Sequence, residues 1–409
     1  MAGTFSLSDP GARRGISERD LVAVTLPPGP GWLDLVRDIW AAGAAVLPID
    51  PRLPRAEASD LLHLARPTVL ISDPDGERSG KRLEDGAPAE PGVALVVHTS
   101  GTAGTPKLAQ FERRAIDSAV AASAFALEAT PRDRWICCLP LAHVGGMLVL
   151  LRGVLLDAPV SVHPVFDPQR VGAEANASFI SIVPTMLGRL LGAEIDLTGF
   201  RGILVGGAHL SPDLRERADR VGAPVIETYG LTESCGGVVY DGLALPGVEM
   251  RINANGGIEL RGPMLMLGYR FDDQATSAAF TEDGWLQPGD AGEIDASGRL
   301  HVVGRIDDLI NTGGEKVWPH EVEVALREHP KVAEVGVGGR QDPEWGQRVV
   351  AFVVPADAAE PPSLDELRAF AAARIARHKV PRELVLVDEL PRTFSGKLRQ
   401  AALLGSRPE

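Results

Sequence analysis

The sequence predicts an α/β protein, its larger part a mostly parallel sheet clothed in helices. Three observations carry this reading. From Leu21 to about Ser234, short apolar strands alternate with helix-patterned segments, the order that builds parallel sheet. Most of those strands run into a glycine-rich or polar turn. From Gly247 to Gly304 the texture changes to tight-turn hairpins, which suggests a small antiparallel sheet or barrel, and after Arg305 strands and helices mix again as in a small α+β domain.

In chain order, residues 1–20 are polar and glycine-containing and are expected to be loose. Leu21–Leu26 reads as a strand stopped by Pro27-Pro28, Trp32–Ala42 as a helix and Ala45–Ile49 as the next strand. A helix over Arg55–Leu64 and a strand over Thr68–Ser72 follow. Val93–Val97 is a continuous apolar run, as in a strand buried on both faces. It leads into Thr99-Ser100-Gly101-Thr102-Ala103-Gly104-Thr105-Pro106-Lys107, and an alanine-rich helix is expected from about Ala109 to Leu127. Glycines that let backbone N–H groups approach, four hydroxyls and one lysine suit a loop wrapping an anion. The spacing excludes a Walker loop, because Lys107 follows Pro106 and precedes Leu108, and it excludes a dinucleotide fingerprint.

Further strands are expected at Trp135–Leu139, Phe179–Val183, Gly202–Val205 and Pro224–Glu227. They precede His143-Val144-Gly145-Gly146, Pro184, Gly206-Gly207-Ala208 and Thr228-Tyr229-Gly230-Leu231-Thr232-Glu233-Ser234 respectively. Carboxyl ends of parallel strands share one edge of a sheet, so these turns should converge on one crevice. The remaining elements are a helix near Trp318–Arg327, strands near Val332–Val337 and Val349–Val354, and a helix near Leu364–Arg377.

Bulk properties narrow the function. The 409 residues suffice for two or three domains, and 44% hydrophobic with 23% charged residues is an ordinary globular balance. A formal charge of −14 opposes non-specific binding to nucleic acid or anionic membranes. Three cysteines, two of them adjacent at Cys137-Cys138, have no disulfide or metal spacing and read as reduced thiols. The amino terminus does not read as a signal peptide, and the best apolar run, Gly146–Leu156, is short and carries Arg152. The expected setting is cytoplasmic, without membrane insertion.

Taken together and in order, these motifs resemble the adenylate-forming superfamily of acyl-CoA synthetases, luciferases and nonribosomal adenylation domains, over nearly the whole chain. Ala103 stands where the family's phosphate loop carries a hydroxyl, and Leu108 where it carries glycine. The resemblance implies roles by position. Thr99, Ser100, Gly101, Thr102, Gly104, Thr105 and Lys107 would embrace the ATP phosphates. Gly206, Gly207 and Ala208 would lie along adenine, with Thr228, Tyr229 and Gly230 beside it and the tyrosine stacked on the ring. Thr232 and Glu233 would meet the α-phosphate and a magnesium ion, for which Glu233 is the metal ligand; a carboxylate suits a hard cation that bridges phosphates. Asp290 and Arg305 would reach the ribose, and His143 would border the acyl pocket.

The same resemblance makes residues 1–306 an ATP- and acyl-adenylate-binding domain and 307–409 a mobile domain pivoting at Asp307. Asn311 stands where a lysine is frequent. Gly313 and Gly314 would line the CoA tunnel, and Lys397, in Pro391–Lys397, would be the catalytic lysine of adenylation. Read alone, a lysine so near the end is a solvated charge; in this segment it is a mobile ammonium able to neutralise charge building on the α-phosphate.

The implied enzyme is an acid–thiol ligase with Mg2+ as cofactor and a small-molecule carboxylic acid, ATP and CoA as partners, with no nucleic acid; a homodimer is left open. "SIVPTMLGRLL", "CGGVVYDGLALPGVEMRI" and "NTGGEKVWPHEVEVALREHPKV" resemble the o-succinylbenzoate–CoA ligases of menaquinone biosynthesis, especially the short actinobacterial type. That substrate carries a second carboxylate, and Arg189 and Thr185 are the partners suggested for it. Its acyl pocket is expected among Gly145, Gly146, Gly230, Gly236 and Gly237. An aryl- or fatty-acid–CoA ligase, or an adenylation enzyme loading a carrier protein, stays open beside it.

Overall fold

A computed structural model of the chain describes residues 4–6, 15–73, 79–99, 106–174, 176–391, 398 and 400–405. It forms two compact units, one of Met1–Met250 with Leu260–Leu286, the other of Arg251–Glu259 with Gln287–Glu409. Among the described residues no helix is long and apolar enough to cross a membrane.

The first unit holds two large sheets. In chain order its first elements are β1 (Thr4–Ser6), β2 (Leu21–Val24), α1 (Trp32–Ala41), β3 (Ala45–Pro48), α2 (Arg55–Ala65), β4 (Val69–Ser72), β5 (Ser79–Arg82), β6 (Val93–Thr99), β7 (Lys107–Glu112) and α3 (Arg113–Ala126). Then come β8 (Trp135–Cys137), α4 (Val144–Leu156), β9 (Val160–Val162), α5 (Pro168–Gly172), β10 (Phe179–Ile182), α6 (Pro184–Gly192), β11 (Gly202–Val205), α7 (Pro212–Arg220), β12 (Val225–Leu231) and β13 (Gly236–Tyr240). After β14 (Leu243–Ala244) come β15 (Glu249–Ile252) and β16 (Ile258–Arg261), whose stretch Arg251–Glu259 belongs to the second unit, and the first unit closes with β17 (Gly268–Tyr269) and α8 (Asp273–Ala279).

The eight-stranded sheet is ordered β1-β5-β4-β2-β3-β6-β7-β17, and the seven-stranded one β14-β13-β12-β11-β10-β8-β9. Both keep a parallel centre, β4-β2-β3-β6 in one and β12-β11-β10-β8-β9 in the other. Every residue of β2, β3, β10 and β11 is buried, as strands covered on both faces require.

Three local expectations are corrected. The alanine-rich segment after the loop does not begin as a helix: Lys107–Glu112 is β7, antiparallel to β6 with Thr99 opposite Lys107, and α3 starts at Arg113. Leu108, Ala109 and Phe111 are buried to 1% or less, and the ladder beside β6 outweighs alanine's helical preference. The loop therefore closes a hairpin instead of opening a helix. Thr228–Leu231 is likewise not a turn but the second half of β12, antiparallel to β13, with a bulge between Tyr229 and Gly230. Within the stretch expected to be loose, Thr4–Ser6 adds an edge strand to β5, which had no counterpart in the sequence reading.

In the second unit, β18 (Asp290–Ile294) and β19 (Leu300–Arg305) form a hairpin. A five-stranded sheet follows, ordered β21-β20-β23-β22 with β24 beside β23. Its members are β20 (Ile310–Thr312), β21 (Glu315–Val317), β22 (Val332–Asp342), β23 (Gly346–Pro355) and β24 (Glu383–Leu386). Helices α9 (Pro319–Arg327) and α10 (Leu364–Ala372) bury Val322, Leu326 and Leu367 against Val335, Val337, Val349, Ala351 and Val353. Ser363 and Glu366 cap the start of α10 reciprocally.

Candidate active site

In the first unit β11, β12 and β13 approach so closely that two positions, Gly206 and Gly230, admit no side chain. A Cβ on Gly206 would lie 2.2 Å from Thr228 Oγ1 and 2.9 Å from Thr228 O. One on Gly230 would lie 2.0 Å from Gly236 O. These glycines are required by backbone approach, and they leave the exposed backbone of Gly207 and Ala208 as an edge on which a flat ring could lie. Tyr229, half-buried, stands on the adjoining strand beside it.

The turn after β12 is a single 3-10 turn, Thr232–Ser234, and a serine outside the expected site holds it. Leu231 N–H donates to Ser234 Oγ at 3.0 Å, and that hydroxyl donates to Gly236 O at 2.8 Å. The turn projects Glu233, whose Oε1 accepts from Tyr269 Oη at 2.7 Å while its backbone O accepts from Met266 N at 2.9 Å. On the other side of the Tyr269 ring stands Lys107, its Nζ 4.9 Å from the centroid. Lys107, at the start of β7, thus connects through one tyrosine to Glu233. Thr99 sits at the end of β6; Ser100, Gly101, Thr102, Gly104 and Thr105 lie outside the described residues.

His143 caps the amino end of α4 in extended conformation, with its ring centroid 5.7 Å from that of His98. Burial, and then the neighbouring His143, push His98 down to about 4, while Asp50 pulls the other way. The glycines expected around an acyl pocket have individual packing reasons: a Cβ on Gly146 would lie 2.4 Å from Pro140 O, and one on Gly236 2.8 Å from Leu148. Of the two partners suggested for a second carboxylate, Arg189 is exposed and its guanidinium lies 4.9 Å from the Phe166 ring; Thr185 is exposed too.

A different arginine is buried behind these elements. Arg152 on α4 is 3% exposed. Its Nη2 donates to Ser123 Oγ at 2.9 Å and Tyr240 Oη at 3.2 Å, and its guanidinium lies 4.8 Å from the Trp135 ring centroid. Its Nε has no partner, and no carboxylate faces it among the described residues. A buried charge without a counter-ion is costly, and here hydroxyls and an aromatic face offset part of that cost. The signal was present in the sequence, as the lone charge within an apolar helical run. Tyr269 gave no comparable signal.

In the second unit Asp290 and Arg305 face one another across the β18–β19 ladder, as the expected ribose pair does. Arg305 Nη1 donates to Asp290 Oδ1 at 3.1 Å and Pro288 O at 2.7 Å. Asp307 is exposed in the 3-10 turn Ile306–Asp308. Gly313 and Gly314 form the two-residue turn joining β20 to β21, both at positive φ (+61° and +84°), which alone accounts for two glycines. Lys397 lies outside the described residues.

No group of three or more His, Cys, Asp or Glu side chains able to hold a metal occurs among the described residues. That fits magnesium arriving with ATP, because this ion keeps its waters and takes one or two carboxylates plus phosphates. Half-buried Glu233 offers Oε2, which has no protein partner among the described residues, and is the residue that would hold it.

Residues 75–270 match the family described as AMP-binding enzyme, and residues 321–397 the AMP-binding enzyme C-terminal domain. A 2-succinylbenzoate–CoA ligase of Bacillus velezensis is 39% identical over 76% of this chain and 68% of its own. A probable 2-succinylbenzoate–CoA ligase of Mycobacterium tuberculosis is 36% identical over 89% of this chain and 96% of its own. The o-succinylbenzoate CoA synthetase MenE of Bacillus subtilis, solved with the acyl-adenylate OSB-AMP, superposes with a TM-score of 0.87 at 30% identity, covering 97% of this chain and 90% of that one. The same synthetase with ATP and magnesium gives a TM-score of 0.85 at 29% identity, covering 96% and 90%.

The depressed His98 pKa carries a stability consequence. With a folded value near 4 against 6.5 unfolded, the folded chain binds fewer protons in that window, so stability falls as pH drops through it. Urea unfolding at pH 7 and pH 4.5 should show wild type losing about 2 kcal/mol more than His98→Gln, allowing for the partial exposure of the ring. Equal losses would show that His98 is not held neutral by its surroundings.

Proposed function

Because the chain belongs to the AMP-binding enzyme family, we propose that it is an ATP-dependent acid–CoA ligase that converts 2-succinylbenzoate to its CoA thioester through an acyl adenylate, as a step of menaquinone biosynthesis. A carboxylate oxygen attacks the α-phosphorus and pyrophosphate leaves; CoA thiolate then attacks the acyl carbon and AMP leaves. Magnesium bound with ATP supplies positive charge that offsets the phosphate oxygens. Glu233 holds that ion, Lys107 reaches the phosphates, and Tyr229 stacks on adenine over the Gly206–Ala208 edge. Asp290 and Arg305 hold the ribose. The segment from Asp307 onward turns between the half-reactions, with Lys397 delivered for adenylation and Gly313 and Gly314 for thioester formation. The setting is cytoplasmic, in keeping with three free buried cysteines whose thiols burial pushes upward, Cys138 and Cys235 to about 12.

The single observation that supports the substrate is Arg152. An acid with two carboxylates leaves one charged after the other is activated, and that charge needs a buried cation. Ser123 of α3, Tyr240 of β13 and Trp135 of β8 contact this arginine without neutralising it, and a monocarboxylate would leave it so. The purified protein with ATP and CoA should prefer 2-succinylbenzoate over benzoate and over a medium-chain fatty acid by at least about a hundredfold in kcat/KM. A preference for either monocarboxylate would transfer the protein to another branch of acid–CoA ligases. Lys397→Ala should slow ATP–pyrophosphate exchange by several orders of magnitude and spare thioester formation from presynthesised acyl adenylate. Equal loss in both half-reactions would contradict the division of labour between them.

A further inference from the structure

We propose that Tyr269 is a positioning residue of the adenylation step, holding the Glu233 carboxylate through its hydroxyl and the Lys107 ammonium through its ring. The inference rests on the assignment of Glu233 as the carboxylate that takes magnesium with ATP.

Tyr269 is 8% exposed and is fixed from several directions. Its strand β17 pairs with β7 immediately beyond the phosphate loop, with Tyr269 opposite Ala109 and Gly268 opposite Gln110. Leu267 N donates to Gln110 O at 2.8 Å and Met266 N to Glu233 O at 2.9 Å, so one short segment is fastened to both the loop's strand and the metal turn. Tyr269 N donates at 2.8 Å to Thr276 Oγ1 on α8. Next in sequence, buried Arg270 donates to Ala65 O, Ala87 O and Pro88 O at 2.9, 2.6 and 3.1 Å. Such anchoring leaves the phenol little freedom, and its two faces of chemistry are used separately. The hydroxyl donates to Glu233 Oε1, which restrains the carboxylate and leaves Oε2 without a protein partner among the described residues. The electron-rich ring face attracts the lysine. One side chain thereby sets the spacing of a cation and an anion that must both meet the same triphosphate. Groups that orient a metal's ligand, without touching the metal, typically matter tenfold to a hundredfold in its affinity.

The test uses the full-length protein with α,β-methylene-ATP, which cannot be cleaved at the reacting bond, and Mn2+ as the probe, its bound fraction read by electron paramagnetic resonance. Tyr269→Phe keeps the ring and removes only the hydroxyl. It should weaken Mn2+ binding to the nucleotide complex about tenfold, with melting temperature and metal-free nucleotide affinity unchanged. Tyr269→Leu removes the ring as well and should additionally weaken nucleotide binding in EDTA. Glu233→Gln alone should weaken Mn2+ binding, and adding Tyr269→Phe to it should cost nothing further. Unchanged Mn2+ affinity in Tyr269→Phe, an additive double variant, or a fall in melting temperature that accounts for the loss would overturn the proposal. Unchanged affinity in Glu233→Gln would instead overturn the assignment of Glu233 on which it rests.

Discussion

Backbone meets backbone at the carboxyl edge of the seven-stranded sheet with no space for a methyl group. Gly206 against Thr228 and Gly230 against Gly236 bring three consecutive strands so close that their ends form a continuous ledge. The rest of the site depends on that approach. It makes β12 run on through Tyr229 before the chain turns, and it makes the turn tight enough for Ser234 to close. Glu233 is consequently presented at a fixed place, where β17 can reach it from the neighbouring sheet.

Charge is distributed around this ledge by burial. Where a charged group is buried and its role is structural, protein groups satisfy it, as three carbonyls satisfy Arg270. On the proposed function, a ligand completes what the protein leaves half-paired. Among the described residues Arg152 has hydroxyls and an aromatic face but no carboxylate, and Glu233 has one oxygen held by Tyr269. An enzyme that joins a dicarboxylate to ATP needs an anion partner in one place and a cation partner in another. His98, kept neutral by burial beside His143, adds no positive charge of its own.

Much of this was legible in the sequence because adenylation chemistry is carried in short contiguous motifs. Gly206–Ala208 follows the end of β11 and Thr232–Glu233 the end of β12, and apolar strands between turns are readable from composition alone. What escaped has physical reasons. The strand Lys107–Glu112 is short and alanine-rich, and only its partner β6 makes it a strand. Tyr269 lies 36 residues from Glu233, and no local pattern announces a contact made across two sheets. Arg152 was visible as a charge interrupting an apolar run, but that no carboxylate among the described residues faces it is a property of the folded core. Gly313 and Gly314 illustrate the converse: a hairpin turn requires them on conformational grounds, whatever else they line.

The claim that Arg152 awaits a carboxylate can be measured through ATP–pyrophosphate exchange without CoA, using 2-succinylbenzoate and 4-oxo-4-phenylbutanoate, which lacks the ring carboxylate. Wild type should favour the dicarboxylate by about a hundredfold. Arg152→Met replaces a buried charge that no carboxylate among the described residues neutralises with an apolar chain of similar length, so stability should hold or rise. Its preference should collapse or reverse toward the monocarboxylate. A variant that keeps the wild-type ratio, at whatever absolute rate, would show that the second carboxylate is recognised elsewhere and that the charge of Arg152 belongs to the core alone.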